Sequence, residues 1–197
     1  QMGNGTVTYL GHRIGSGVVA PVESKIQGII DYCVPRNRRE LQRFLGMAGY
    51  YRRFCDRFSD LAKPLTDLLR GGVKFAWSED CQTAFEALKA MLGSSPVLRA
   101  PNFYRPFVLA IDASAYAMGA VLFQEHNDML MPISYFSRKF SNAQLGYSTI
   151  ERELLALLEA CSHSQVFLKA GLPVKVLTDH NPLVYLTRLK HTNQRLL

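Results

Sequence analysis

Cysteine is scarce in this 197-residue chain, which has only Cys33, Cys55, Cys81 and Cys161. No two of them stand at metal-finger spacing, and they form no dense disulfide framework. They read as reduced, mostly buried thiols of an intracellular protein. Long apolar runs are also missing: none approaches the ~20 residues of a membrane span, so no membrane-spanning segment is expected. No signal peptide is apparent, and Gln1 to Gly5 read as an excision boundary. His12, His126, His163, His180 and His191 are scattered, and none forms a metal pair. Acidic charge is in deficit, with 16 Asp and Glu against 23 Lys and Arg, for a net charge of +7. That balance points to a polyanion, either nucleic acid or an anionic membrane surface, although a solvated basic surface accounts for it equally well.

Hydrophobic residues make up 48% of the chain, enough for one domain or two small ones. Thr6 to Ile14 reads as a strand, Gly15-Ser16-Gly17 as a turn and Val18 to Ala20 as a return strand. Pro21 is placed to open a short helix that holds Ile26, Ile29 and Ile30. Asn37, three residues before Glu40, caps a helix whose buried stripe is Leu41, Phe44, Leu45 and Ala48. A short helix follows from Pro64 to Gly71-Gly72. A third starts at Ser78, with Cys81, Ala84, Phe85, Leu88, Met91 and Leu92 on one face. Phe75 and Trp77 are expected to pack on this third helix. Beyond Pro101 the pattern changes. Strands are expected at 106–112, 119–124 and 130–136, a helix at 149–167, a strand at 174–178, and a last helix opened by Asn181-Pro182. The fold class is therefore α/β, or α+β overall: a small helical unit followed by a mixed sheet with flanking helices.

Three acids stand out. Asp112 and Asp179 each end an apolar strand, where ligands bind in α/β sheets. Glu153 lies on the intervening helix, with Leu154, Leu155, Leu157 and Leu158 supplying its buried side. Acids from three elements can converge, and oxygen-only ligands suit Mg²⁺ or Mn²⁺. Two such ions about 3.5–4 Å apart can activate water and stabilise a phosphodiester's leaving oxygen. Either Asp alone also fits a turn residue or a helix cap. Glu151, Glu153 and Glu159 also fit solvated charges.

A second feature is basic. Arg36, Arg38, Arg39, Arg43, Arg52, Arg53 and Arg57 fall within 22 residues, against only Glu40 and Asp56. Arg39 and Arg43 share a helix face, suited to sequence-independent phosphate binding. Gln42, Gly46 and Tyr50 form another stripe. There Gly46 would let the backbone approach a duplex, Gln42 could donate to groove acceptors and Tyr50 could lie against sugars. The alternative is an ordinary solvated helix whose glycine fits a helix–helix contact.

Many ordered matches carry a resemblance. They are Tyr9-Leu10-Gly11-His12, Glu40-Leu41-Gln42-Arg43-Phe44-Leu45-Gly46, Tyr50-Tyr51-Arg52-Arg53-Phe54, Ala62-Lys63-Pro64-Leu65, Phe75-Ala76-Trp77-Ser78, Ala84-Phe85-Glu86-Ala87-Leu88-Lys89, Pro96-Val97-Leu98, Asp112-Ala113-Ser114, Gly119-Ala120-Val121-Leu122, Tyr135-Phe136-Ser137-Arg138, Glu151-Arg152-Glu153-Leu154-Leu155-Ala156 and Thr178-Asp179-His180. Through them residues 6–197 resemble the Pol polyprotein of Ty3/Gypsy-type long-terminal-repeat retrotransposons. The resemblance implies the end of a reverse transcriptase palm at 1–32, a helical thumb or connection at 33–95 and a ribonuclease H-like domain at 96–197. It implies that Asp112, Glu153 and Asp179 are three of four metal-binding carboxylates, with Mg²⁺ or Mn²⁺ as cofactor and two ions in the complete domain. Glu153 is chosen over Glu151 because it directly precedes Leu-Leu-Ala. The implied reaction is cleavage of the RNA strand of an RNA–DNA hybrid. The implied partners are hybrid or template–primer duplex and the rest of the polyprotein (palm, fingers, integrase), in a cytoplasmic particle or the nucleus. Tyr9, Leu10 and Gly11 look like a primer grip. Arg39, Gln42, Arg43, Gly46, Tyr50 and Arg53 fall to the thumb's nucleic-acid track. Two departures stand against this. No acid occurs from His180 to Leu197, so the fourth carboxylate is expected beyond the chain, and no Asp-Asp pair exists to form a polymerase site. The competing reading is a host-adopted, inactive module that binds nucleic acid or protein.

Overall fold

The structure, a computed structural model, describes residues 5–94, 97–169 and 171–179. The chain divides into two compact units between Ala100 and Pro101.

The first unit opens with an antiparallel meander of β1 (Thr6–Tyr9), β2 (His12–Gly15) and β3 (Val18–Pro21). The expected single strand from Thr6 to Ile14 is thus itself a hairpin. Leu10 and Gly11 make its two-residue turn with φ of 44° and 74°, and Ser16 and Gly17 make the next with 52° and 72°. Two positive φ values in succession give the turn whose twist matches a hairpin. Gly11 adopts that region without cost, whereas Leu10 does so only under outside constraint. The constraint comes from 40 residues on, where the Tyr50 hydroxyl donates to the Leu10 carbonyl and the Tyr51 hydroxyl to that of Gly11.

Pro21 closes β3 rather than opening a helix, and α1 runs Glu23–Ile30. In α2 (Arg38–Tyr50) Asn37 is the N-cap, accepting from the Glu40 amide at 3.0 Å. Glu40 in turn accepts from the Arg36 amide at 2.7 Å, and that bond, aided by Asn37, holds its carboxyl below the usual range. A 3-10 turn (Arg52–Phe54), α3 (Phe58–Leu61) and α4 (Lys63–Asp67) lead to α5 (Glu79–Gly93), which Ser78 caps through the Cys81 amide. The stripes predicted on α2 and α5 form the core, apart from Leu45 and Met91, which are half-buried. Phe44 and Phe85 lie 4.5 Å apart between ring centroids, with Leu41, Leu65, Leu88 and Leu92 fully buried around them. Trp77 packs edge-on to Phe85 and donates to Gln82, as expected of a packing residue. Strand β4 (Leu98–Arg99) pairs with β3 and completes this first sheet.

The second unit is built on β5 (Phe107–Ala113), β6 (Ala117–His126), β7 (Met129–Lys139) and β8 (Val174–Leu177). Their order is β7-β6-β5-β8; β8 is parallel to β5 and the other pairs are antiparallel, the mixed sheet expected. Ile133 is skipped in the β6–β7 register, next to Pro132, which has no amide to donate. Gln124, wholly buried, ties down residues 102–105. It accepts from the Asn102 amide at 2.8 Å and donates to the carbonyls of Asn102 and Arg105.

The helix expected at 149–167 breaks at Ser164 into α6 (Thr149–His163) and α7 (Gln165–Leu168). Helix α6 packs on β5 and β6. Its buried stripe is Glu153, Ala156 and Ala160. The leucines expected there flank the stripe instead, and Leu158 is 46% exposed. Small residues let the helix lie close to the sheet, so the alanines take the central positions. The helix predicted from Asn181-Pro182 lies outside the described residues. Among the described residues no helix is long and apolar enough to cross a membrane.

Candidate nucleic-acid interface and carboxylate site

In the first unit, residues singled out on separate elements line one cleft of about 620 Å³. Leu10 and Gly11 come from the hairpin turn and Arg43, Gly46 and Tyr50 from α2, joined by Lys25, Ile29, Met47 and Tyr51. The turn is fastened to the end of α2. The His12 ring lies among Tyr50, Tyr51 and Phe54, at 5.5, 5.8 and 5.6 Å between centroids. Its Nδ1 donates to the Leu10 carbonyl at 2.9 Å. Burial raises the pKa of Tyr51, which keeps its hydroxyl a donor to Gly11. Tyr9 is exposed on β1 and is not part of the cleft lining.

Leu41, Phe44 and Ala48 bury one side of α2, while Arg39, Gln42, Arg43, Gly46 and Tyr50 are all exposed. The other arginines of the cluster mostly serve the fold. Arg38 donates to the carbonyls of Leu69, Arg70 and Val73. Arg52 sits over the Phe58 ring at 5.6 Å, and Arg57 pairs with Asp60 at 3.6 Å. Arg53, assigned to the nucleic-acid track, is instead half-buried over Phe54, and desolvation lowers its pKa. It follows Tyr50 by three residues but lies beyond the end of α2, so helical spacing no longer carries it along the stripe.

Gly46 bears on the expected helix–helix contact. A Cβ added there meets nothing within 4 Å, so among the described residues no helix–helix contact explains the glycine. Glycine inside a helix costs about 0.5–1 kcal/mol relative to alanine. Gly46→Ala is therefore expected to raise stability by about that amount in urea denaturation while weakening duplex binding. Unchanged binding would assign the glycine no role in contact.

The acids of the second unit lie on three elements. The β5–β8 pairing runs to Ala110↔Leu177. Asp112 and Asp179 each follow that last pair by two residues, Asp179 beyond the end of β8, and both are exposed. Across from Asp112 on β6 stands Gly119, which brings no side chain. Glu153 is 4% exposed on the sheet-facing stripe of α6. The other two glutamates have separate roles. Glu151 closes a capping box with Ser148, and Glu159 pairs with Arg138 at 2.5 Å. Neither is a plain solvated charge, and the capping role leaves Glu153 as the glutamate turned toward the sheet. An all-oxygen set drawn from a buried and two exposed carboxylates has the chemistry of a Mg²⁺ or Mn²⁺ site. Among the described residues no three His, Cys, Asp or Glu side chains form a group that could hold a metal ion.

All four thiols are free. Cys55 and Cys81 are buried, Cys161 is half-buried and Cys33 is exposed. Desolvation pushes the Cys55 thiol up to about 12 and also raises Cys161, so neither is a nucleophile near neutral pH.

The family model described as the RNase H-like domain found in reverse transcriptase matches residues 77–176. The Tf2-3 and Tf2-4 transposon polyproteins of Schizosaccharomyces pombe (strain 972 / ATCC 24843) are 38% identical to the chain over 180 residues, which is 90% of this chain and 14% of each relative. The chain therefore spans about a seventh of the curated relatives it matches. Two solved structures share the fold at 24% identity. The foamy viral protease-reverse transcriptase with dsDNA superposes with a TM-score of 0.77 over 95% of this chain and 39% of that one. The same viral protein with an RNA/DNA hybrid gives 0.76 over 98% and 27%.

Proposed function

The chain belongs to the family of RNase H-like domains found in reverse transcriptase, and we propose that it cleaves the RNA strand of RNA–DNA hybrids within a Ty3/Gypsy-type retrotransposon polyprotein. One observation supports the reading: Asp112 lies near the end of β5, Asp179 follows the parallel neighbour β8 by two residues, and Glu153 is buried on the helix packed across β5 and β6. In this reading residues 1–32 are the end of a palm, 33–95 a thumb and 96–197 the nuclease, working with the rest of the polyprotein in a cytoplasmic particle or the nucleus.

In this reading Asp112, Glu153 and Asp179 would hold the divalent cations, two in the complete domain. The chemistry that Mg²⁺ or Mn²⁺ would supply there is activation of a water and neutralisation of charge on the leaving oxygen. The chain itself would contribute negative oxygens from the end of β5, the segment after β8 and a helix, set against charge that develops as a phosphodiester reacts. The test is cleavage of a labelled RNA–DNA hybrid with Mg²⁺ or Mn²⁺, by the chain and by a longer protein containing it. A protein that folds, binds hybrid and leaves the RNA intact overturns the enzyme reading in favour of an adopted binding module.

The thumb grips the duplex through the exposed face of α2. The foamy viral relative is solved with both dsDNA and RNA/DNA hybrid, and both are carried over to this chain as ligands. Each phosphate contact adds about 0.9 to the salt slope of binding to B-form DNA. Arg43→Ala is expected to weaken binding to all sequences alike and to flatten log Kd against log salt by about one contact. An unchanged affinity and slope would mean that the helix is merely solvated.

A further inference from the structure

The cleft at the hairpin turn has two cations in its lining, and only Arg43 stands on the helix that the sequence points to. The other is Lys25, on α1. One helical turn further on, Ile29 is 1% exposed and also lines the cleft. Lys25 and Ile29 therefore share a face of α1, one supplying charge and the other apolar surface. None of the nine lining residues is an Asp or Glu. The nearest acid in sequence, Glu23, pairs with Arg13 at 3.7 Å and lines a separate recess. The lining thus holds two cations with Leu10, Ile29 and Met47 and no carboxylate; Glu40, which interacts electrostatically with Arg43, lies outside it.

We propose that Lys25 is a second phosphate-binding residue of this cleft, taking a backbone phosphodiester of a bound strand next to the one that Arg43 takes. This rests on the duplex-binding reading of α2 above. A cleft of about 620 Å³ lies within the ~300–1,000 Å³ of ligand sites. The apolar lining suits the sugar, and the two cations suit the phosphates on either side of it. The occupant is a strand rather than a free anion because the cleft's Arg43, Gly46 and Tyr50 belong to the longer exposed face with Arg39 and Gln42. Gly11 and Gly46 lie on two different walls, so backbone as well as side chains borders the path. Sequence alone offered no signal for Lys25, because α1 brings it to α2 only in the folded chain.

The test uses the whole chain and a fluorescein-labelled duplex, with anisotropy read across a salt series. Lys25→Ala should flatten the plot of log Kd against log salt by about one contact, and Lys25→Arg should restore it. Lys25→Ala with Arg43→Ala should remove about two, while the exposed Lys74→Ala leaves the slope alone. Thermal unfolding of Lys25→Ala should match the parent. If Lys25→Ala keeps the full slope while Arg43→Ala flattens it, the Lys25 proposal is overturned and the duplex reading stands. If neither changes the slope, both are overturned. If inorganic phosphate alone gives Lys25-dependent binding and the duplex slope ignores Lys25, the occupant is a free anion and the strand assignment is overturned.

Discussion

Asp112→Asn is expected to remove hybrid cleavage while leaving hybrid binding nearly intact. The substitution keeps shape and exchanges a negative oxygen for a neutral amide. In a site that works by fixed charge, the loss of one stabilising group costs at least about a hundredfold in rate. Asp112 is the residue of choice because it is exposed at the end of β5, so the core beneath it, Leu109 and Ile111 included, is untouched. The comparison requires a protein containing this segment that cleaves hybrid with Mg²⁺ or Mn²⁺. Rates are measured on parent and variant, with hybrid affinity and circular dichroism alongside. Full cleavage by the variant, with an unchanged metal requirement, would remove Asp112 from the site.

The second large effect is on the fold. Phe44→Ala should destabilise the chain by about 3–5 kcal/mol, the usual cost of emptying a buried phenylalanine site. Phe44 is wholly buried, 4.5 Å from Phe85 and 5.7 Å from Tyr32 between ring centroids. Its neighbours come from α5 and the loop before α2, and such surroundings collapse poorly around a void. Against a total stability of about 5–15 kcal/mol for a typical domain, the loss would leave the first unit close to unfolding. Urea denaturation should show a lowered midpoint, with Arg36→Ala as the exposed control. A shift below about 1 kcal/mol, the range of surface changes, would contradict the packing described here.

How far these elements could be read from sequence depended on whether their causes are local. Asn37 and Ser78 are side chains that cap their own helices, so both helix starts were legible. The apolar runs of β5, β6 and β8 mark strands by composition, and their order already implied a mixed sheet. The turn at Leu10 and Gly11 was not legible, because the hydroxyls that hold it come from Tyr50 and Tyr51. On α6 the leucines outweigh the alanines in hydrophobicity, so a reading based on apolar character picks the flanks. Closeness of approach to the sheet selects the alanines instead. Of the candidate site residues, Arg43, Gly46 and Tyr50 met Leu10 and Gly11, whereas Arg53 turned into the fold and Lys25 went unnoticed.

The alanine stripe of α6 also governs where its one acid sits. Ala156 and Ala160 are thin spacers between helix and sheet, packed against Met118, Phe140 and the β5–β6 core. Glu153 lies one turn before Ala156 on the same stripe, so the depth of its carboxylate is set by the thickness of residues that do no chemistry. A bulkier spacer lifts the helix, and overpacking of this kind costs about 1–3 kcal/mol. The lift also carries the glutamate away from β5 and β6, on which α6 packs. The reach of the acid is thus calibrated by two methyl groups, and variation at Ala156 or Ala160 is a way to detune the site while every carboxylate remains in place.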